Sequence, residues 1–200
     1  MKLLIESDHL EDYLKEIPGI IEFGTPYVYQ QIQKITSQTT LSIERAKMAF
    51  EVARDEIKHS FDTGNQLITI SAEKTLEHNE GICFAKSHLL VTLLRGMEIP
   101  AGFCYQRVLR KGTVESGYAL HGLVAIYLDK QWFRVDPRGN KPGIDAQFLI
   151  ASEKLAYPIR TQLGEIDYPN VYVAPLTTVI DSMRTSLDSQ ELFYQRPEKI

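Results

Sequence analysis

The sequence predicts a single α+β domain, and three observations carry that expectation. Helical hydrophobic spacing comes first along the chain, segments with the character of strands follow it, and no internal repeat, low-complexity stretch or obvious linker divides the 200 residues. A chain that is 44% hydrophobic and 24% charged has the composition of an ordinary globular protein with one core. The expected domain is 1–200, with a core over about 42–148 and a C-terminal extension over about 149–200.

Each element has its own signal. From Ser42 to Phe61, the residues Ile43, Ala46, Phe50, Ala53 and Ile57 recur at intervals of three or four, the apolar stripe of a helix on a core, with Ser42 as N-cap. Asp62 to Gln66 reads as a turn, Leu67 to Ile70 as a short strand, and Ser71 as the cap of a brief helix through Glu77. Ile82 to Leu94 is apolar around most of its circumference, which predicts a buried helix, and Gly96 is its expected stop. After Ile99-Pro100, which forces extended backbone, strands are expected over Ala101 to Arg110, Leu120 to Leu128 and Gln131 to Asp136. Asp129-Lys130 is the tight turn of the last pair. Ile144 to Ala151 reads as a further strand, Thr177 to Ser186 as a helix, and Gln195 to Ile200 as a tail.

Composition removes several functions. With 22 Lys and Arg against 26 Asp and Glu, and no basic cluster, nucleic acid is not an expected partner. The amino terminus lacks the pattern of a secretory signal, and no apolar run approaches the roughly 20 residues of a membrane span, so the expected location is cytoplasmic and no membrane partner is expected. Cys83 and Cys104 are then free thiols. No C-x-x-C pair and no H-E-x-x-H spacing occurs, so neither a metal nor a cofactor is expected.

Three polar residues stand out against these apolar elements. Cys83 heads the buried helix, where unpaired N–H groups and the positive end of the helix dipole favour a thiolate. Its own N–H is placed to donate to a developing oxyanion, and Lys86, one turn on, adds positive potential. His121 opens one strand and Asp136 closes the next. A symmetric turn at Asp129-Lys130 pairs Leu123 with Asp136, which puts His121 on the face of the carboxylate at a diagonal Cβ separation of roughly 7 to 8 Å. Cys83, His121 and Asp136 therefore suit a nucleophile, its base and the orienter of that base.

Each residue also has a plain structural reading. A lone cysteine in an apolar helix is more often inert core, His121 reads equally as a satisfied structural histidine, and Asp136 before Pro137 as a turn cap. Cys104 and Trp132 read as core. His9, His59, His78 and His88 read as surface or helix packing, and Arg138, Asn140 and Lys141 as either a substrate-facing loop or an exposed turn. The second oxyanion donor stays open between Gln66, Asn79 and the His59-Ser60 region.

The stretch Gly81-Ile82-Cys83-Phe84-Ala85-Lys86-Ser87-His88-Leu89-Leu90, continued by Leu93-Leu94-Arg95-Gly96 and Ile99-Pro100-Ala101-Gly102-Phe103, resembles the catalytic-cysteine helix and following strand of the transglutaminase-like superfamily. His121 to Leu128 resembles its histidine strand, and Trp132-Phe133-Arg134-Val135-Asp136-Pro137 its aspartate strand. The resemblance covers about Ser42 to Phe148 and implies a papain-like, transglutaminase-core fold with the nucleophile helix packed on an antiparallel sheet. It implies Cys83 as nucleophile, His121 as general base and acid, and Asp136 as orienting carboxylate. Bacterial stand-alone members imply a cysteine protease or amidohydrolase acting on a peptide, protein or small amide. Two features differ from the family pattern: Gly122 stands where many members carry a bulky aromatic, and the extra β-domains and acidic calcium loops of animal transglutaminases are absent from this sequence. Hydrolysis is therefore expected over calcium-dependent crosslinking. The competing readings are a transglutaminase-type transfer to an amine, acyl transfer from a coenzyme A thioester, and a non-catalytic binding module on the same fold.

Overall fold

In a computed structural model that describes residues Met1–Ile200, the chain folds around one long buried helix. Strand β1 (Leu4–Ile5) leads to helix α1 (Pro26–Thr36), which starts with Pro26 in its first turn and turns Val28, Ile32 and Ile35 inward. Helix α2 (Ser42–Glu51) runs into a π-helical turn over Val52–Glu56. Strand β2 (Lys58–His59), helix α3 (Ser60–Thr63), helix α4 (Ala72–His78) and strand β3 (Glu80–Gly81) then lead into α5 (Cys83–Gly96).

Strands β4 (Ala101–Leu109), β5 (Tyr118–Leu128) and β6 (Gln131–Val135) form the main sheet. Strands β7 (Ile166–Asp167) and β8 (Asn170–Val171) and helices α6 (Thr177–Thr185) and α7 (Ser189–Gln195) complete the chain. The sheet order is β6-β5-β4-β7, antiparallel throughout, while β1 pairs with β8 and β2 with β3 in parallel. The fold is thus α+β, with the long helix packed on an antiparallel sheet. No helix is long and apolar enough to cross a membrane.

The core explains why α5 needs no polar face. Every residue from Cys83 to Arg95 is buried, and a cluster of 36 buried side chains joins the apolar residues of this helix to others from α1, α2, the sheet and the C-terminal helices. A smaller cluster of Tyr13, Cys104, Leu123, Ala125 and Val171 covers the opposite side of β4 and β5. Two large polar groups on α5 find partners within the structure, while the buried Ser87 hydroxyl has none. Arg95 donates to the carbonyls of Ala101, Lys15 and Val173, and His88 Nδ1 lies 2.7 Å from the Ile70 carbonyl.

Several expectations change. Ser42 is the first helical residue and Leu41 the N-cap. The helix stops at the π-helical turn, so Lys58–His59 becomes a strand, because β2 finds its partner in β3. Leu67 to Ile70 forms no strand; Thr69 instead donates its hydroxyl to the Glu80 carbonyl at 2.8 Å. Gly96 lies inside α5 rather than beyond it. A Cβ there would stand 2.4 Å from Ile32 Cδ1, so this glycine permits close packing of α1, while Glu98 takes the left-handed conformation at φ 61°. Ile144 to Ala151 makes only isolated bridges and pairs with no strand of the sheet, although Phe148 packs on Phe133 of β6 at 5.7 Å between ring centres. Trp132 is half-buried, edge-on to Tyr13 at 4.9 Å. The segment Gln195 to Ile200 is not a free tail: Leu120 N donates to the Pro197 carbonyl at 2.6 Å, and Arg196 is buried.

Candidate active site

The hairpin fixes two of the three polar residues. Asp129 and Lys130 both take positive φ, 50° and 65°, giving the two-residue turn that matches the twist of the strands. Leu128 then pairs with Gln131 and Val124 with Val135, so the register carried one step further sets Asp136 across from Leu123. His121, of the same parity as Leu123, closes the diagonal: its Nε2 lies 2.8 Å from Asp136 Oδ2. A carboxylate only accepts, so Nε2 carries the proton and Nδ1 is the nitrogen left for Cys83. Asp136 is anchored in turn, accepting from Arg138 N at 3.1 Å and Ala156 N at 2.9 Å. Tyr157 stands edge-on to the imidazole, 4.8 Å between ring centres.

Cys83 arrives from the other layer. It occupies the first position of α5, after Ile82 in extended conformation, where its amide has no carbonyl partner within the helix. Gly122 makes the approach possible. A Cβ there would meet Phe84 Cδ1 at 2.8 Å, so the missing side chain lets the first turn of α5 lie against β5 beside His121. What this glycine admits is the Phe84 ring of the protein itself.

The electrostatics favour separated charge. Burial alone raises the Cys83 pKa, but hydrogen bonding and charge from His121, then the charge of Arg196 and the Gly122 amide, outweigh it and hold the thiol below its ordinary value. Burial alone lowers the His121 pKa, and Asp136 with Cys83 reverses this to well above the ordinary value. Asp136, raised by burial, is brought below the carboxylate range mainly by His121. All three effects point to a thiolate–imidazolium pair with an ionised orienter.

Cys83 and His121 line a cleft of about 520 Å³ with His59, Phe61, Asp62, Arg138, Tyr157 and Arg196 among its walls. Arg138 is buried, bidentate to Asp62 through Nη1 and Nη2 at 2.5 and 2.9 Å, and gives its Nε to Tyr157 Oη. Lys141 also bonds Asp62, so two of the three loop residues from the hairpin end face the cleft, while Asn140 ties the loop to Ala146. Lys86 contributes less potential than its place in the sequence suggests. Its ammonium is buried against the carbonyls of Arg54 and Ile57, and desolvation lowers its pKa to about 7.

Sequence reasoning missed Arg196 and left His59 among three open regions for the second oxyanion donor. His59 faces the cleft because β2 sets it opposite Gly81, two positions before Cys83. Burial keeps its imidazole neutral, and its Nδ1 has no partner. Gln66 and Asn79 are exposed and do not line the cleft. Arg196 lies in the segment read as a tail, where no local pattern signals burial.

Comparison with known proteins shows the family. The family model of the transglutaminase-like superfamily matches residues 29–137, just over half of the chain, and the chain belongs to that superfamily. Among solved structures, a "putative cysteine protease" from Cytophaga hutchinsonii aligns at 14% identity and a TM-score of 0.46, over 66% of this chain and 43% of that one. A TGase crystal structure aligns at 14% identity and a TM-score of 0.43, over 72% and 41% of the two chains. The chain therefore spans less than half the length of either. No curated protein sequence matches it.

Proposed function

We propose that this protein is a cysteine-dependent amidohydrolase that cleaves a peptide or amide bond through a thioester on Cys83. The observation that carries the reading is the buried His121–Asp136 pair at 2.8 Å, which commits one imidazole nitrogen to the carboxylate and leaves the other for the thiol at the head of α5. The thiolate attacks the carbonyl carbon, and the electron pair of the C=O bond moves to oxygen. The Cys83 amide donates to that oxyanion, and His59, neutral and with an unpartnered ring nitrogen beside the cleft, is the second donor. The C–N bond breaks as His121 gives its proton to the leaving nitrogen. Water then attacks the thioester, His121 takes its proton, and the acid leaves with Cys83 restored. Transfer to an amine would resolve the same thioester with a different nucleophile. A free thiolate of this kind belongs in a reducing compartment, consistent with two unpaired cysteines and a cytoplasmic site of action.

Alkylation by iodoacetamide tests the reading, with each cysteine followed by mass spectrometry from about pH 4 to about pH 10 in wild type and His121→Ala. The proposal expects rapid labelling of Cys83 below the ordinary thiol range, slowed and moved upward in pH by loss of His121. Slow labelling with an ordinary profile in both proteins would favour a binding module that does not turn over.

A further inference from the structure

We propose that the acyl donor carries a carboxylate close to the scissile bond, and that Arg196 is the group that binds it. This rests on the thioester chemistry assigned to Cys83 and names the class of substrate that chemistry acts on. The protein as a whole is acidic, with a formal net charge of −4, yet its cleft is lined by six cations, Arg110, Lys111, Arg138, Lys141, Arg160 and Arg196, against two carboxylates, Asp62 and Glu165. The carboxylates are already committed. Asp62 takes Arg138 and Lys141, and Glu165 takes Arg160, while Arg110 meets Glu198 at 3.3 Å from outside the lining. Lys111 and Arg196 have no carboxylate partner.

Arg196 is the more telling of the two, because it is only 7% exposed. Its guanidinium sits 4.9 Å from the ring centres of both Phe61 and Phe193, and besides the Cys83 sulfur its partner within the protein is the Phe193 carbonyl, reached from Nε at 3.4 Å. Aromatic faces stabilise a cation without neutralising it. The Lys111 ammonium lies 5.9 Å from the same Phe193 ring, so one side chain gathers both free charges on one wall. A buried, unneutralised guanidinium costs stability, and burial lowers the Arg196 pKa, opposed first by the charge of Cys83. The backbone nevertheless holds it in place: Arg196 N donates to the Leu192 carbonyl at 3.0 Å, and Pro197 is tied to β5.

The charges balance through the reaction. In the free protein Arg196 faces the Cys83 thiolate. When that thiolate becomes a neutral thioester, the guanidinium loses its counter-charge, and a carboxylate on the acyl group restores it through a planar fork suited to two parallel hydrogen bonds. A neutral acyl group would leave the cation buried and unpaired at that stage. Because Arg196 adjoins the thiol itself, the carboxylate belongs within a few bonds of the attacked carbonyl, as in an acidic residue or a small dicarboxylic monoamide.

Two alkylating reagents of nearly equal size, iodoacetate and iodoacetamide, separate this proposal from the nucleophile assignment. In both, the Cys83 sulfur displaces iodide from the CH₂ group, and they differ in presenting a carboxylate or a neutral amide. The rate ratio of iodoacetate to iodoacetamide at Cys83, divided by the same ratio for 2-mercaptoethanol, cancels the thiolate population. It is expected to be about tenfold at low ionic strength and to shrink with added salt. Arg196→Gln should return it to within about twofold of the free thiol and Lys111→Gln should lower it less, with protection of the buried Cys104 reporting that each variant remains folded. A wild-type ratio equal to that of the free thiol, or a raised ratio unchanged in folded Arg196→Gln, overturns the carboxylate assignment while leaving the nucleophile in place. Labelling of Cys83 by neither reagent overturns both.

Discussion

Cys83 and Cys104 are a controlled comparison within one chain. Both thiols are free and buried, 1% and 0% exposed, so solvent access does not separate them. Cys104 lies mid-strand opposite Leu123, packed with Tyr13, Ala125 and Val171, and burial pushes its pKa up to about 12. The nearest cation, Arg134, cannot offset this, because its charge is matched by Glu153 and Asp167 at 2.6 and 2.7 Å. Cys83 suffers the same desolvation yet is held below its ordinary value, because His121, although paired with Asp136, hydrogen-bonds its sulfur directly, and the charge of Arg196 and the Gly122 amide add to that. Burial sets the cost of a thiolate, and the donors and charges that act directly on the sulfur decide whether one forms.

The largest expected difference between the two thiols is in chemistry. Cys83→Ala should reduce amide hydrolysis by about 10³-fold or more while changing stability by about 1 kcal/mol or less. Turnover assays on a folded variant check it, and retained activity would remove Cys83 from the mechanism. Next comes Asp136→Asn. Asp136 Oδ2 faces two donors, His121 Nε2 and Ala156 N, so an amide NH₂ in its place meets N–H groups or forces the imidazole into the wrong tautomer. A loss in kcat of about 10²-fold or more is expected, with a stability loss of about 3 kcal/mol in denaturant titration, because His121 is left buried without its counter-charge.

That stability difference carries a pH signature. Asp136 is held below its reference value of 3.8, so its contribution is present above that value and is lost as pH falls through the folded pKa. His121 is held well above 6.5, so its contribution is present below that value and is lost as pH rises through the folded pKa. The gap between wild type and Asp136→Asn should therefore narrow at both extremes. The same pair shapes activity: the acid limb rises as Cys83 ionises below its ordinary 9.0, and the alkaline limb falls, about tenfold per pH unit, as His121 loses the proton the leaving group needs. A single rise near 9 would instead make Cys83 resemble an ordinary thiol.

What could be read in advance follows the same division between local and distant causes. Helix α5 was legible from its all-round apolarity, and the placing of His121 near Asp136 from parity alone, since a two-residue turn fixes every pair in the hairpin. His59 stayed one of three open regions, because its segment continues a helical period from α2 and leaves it only by pairing with β3, some twenty residues on. Arg196 was invisible for a stronger reason. Six polar and apolar residues without period carry no local signal, and the burial comes from Phe61, Phe193 and the bond from Leu120 to Pro197. Ile144 to Ala151 failed in the opposite direction, with strand-like composition that goes into side-chain packing on β6 through Phe148 and Phe133 and not into backbone pairing.

The smallest expected effect belongs to Cys104→Ala. Its sulfur fills space between Tyr13, Leu123, Ala125 and Val171 and takes no part in ion pairing, so its removal should cost about 1 kcal/mol of stability and leave kcat/KM within about twofold. The measurement is informative because Leu123 lies directly across from Cys104 and only two residues from His121 on the same strand. If relaxation around the lost sulfur reached His121, iodoacetamide labelling of Cys83 would slow in Cys104→Ala although no polar partner had changed. An unchanged labelling rate with a lowered melting temperature would show that neighbouring positions on one face of β5 respond separately, Leu123 to packing and His121 to charge.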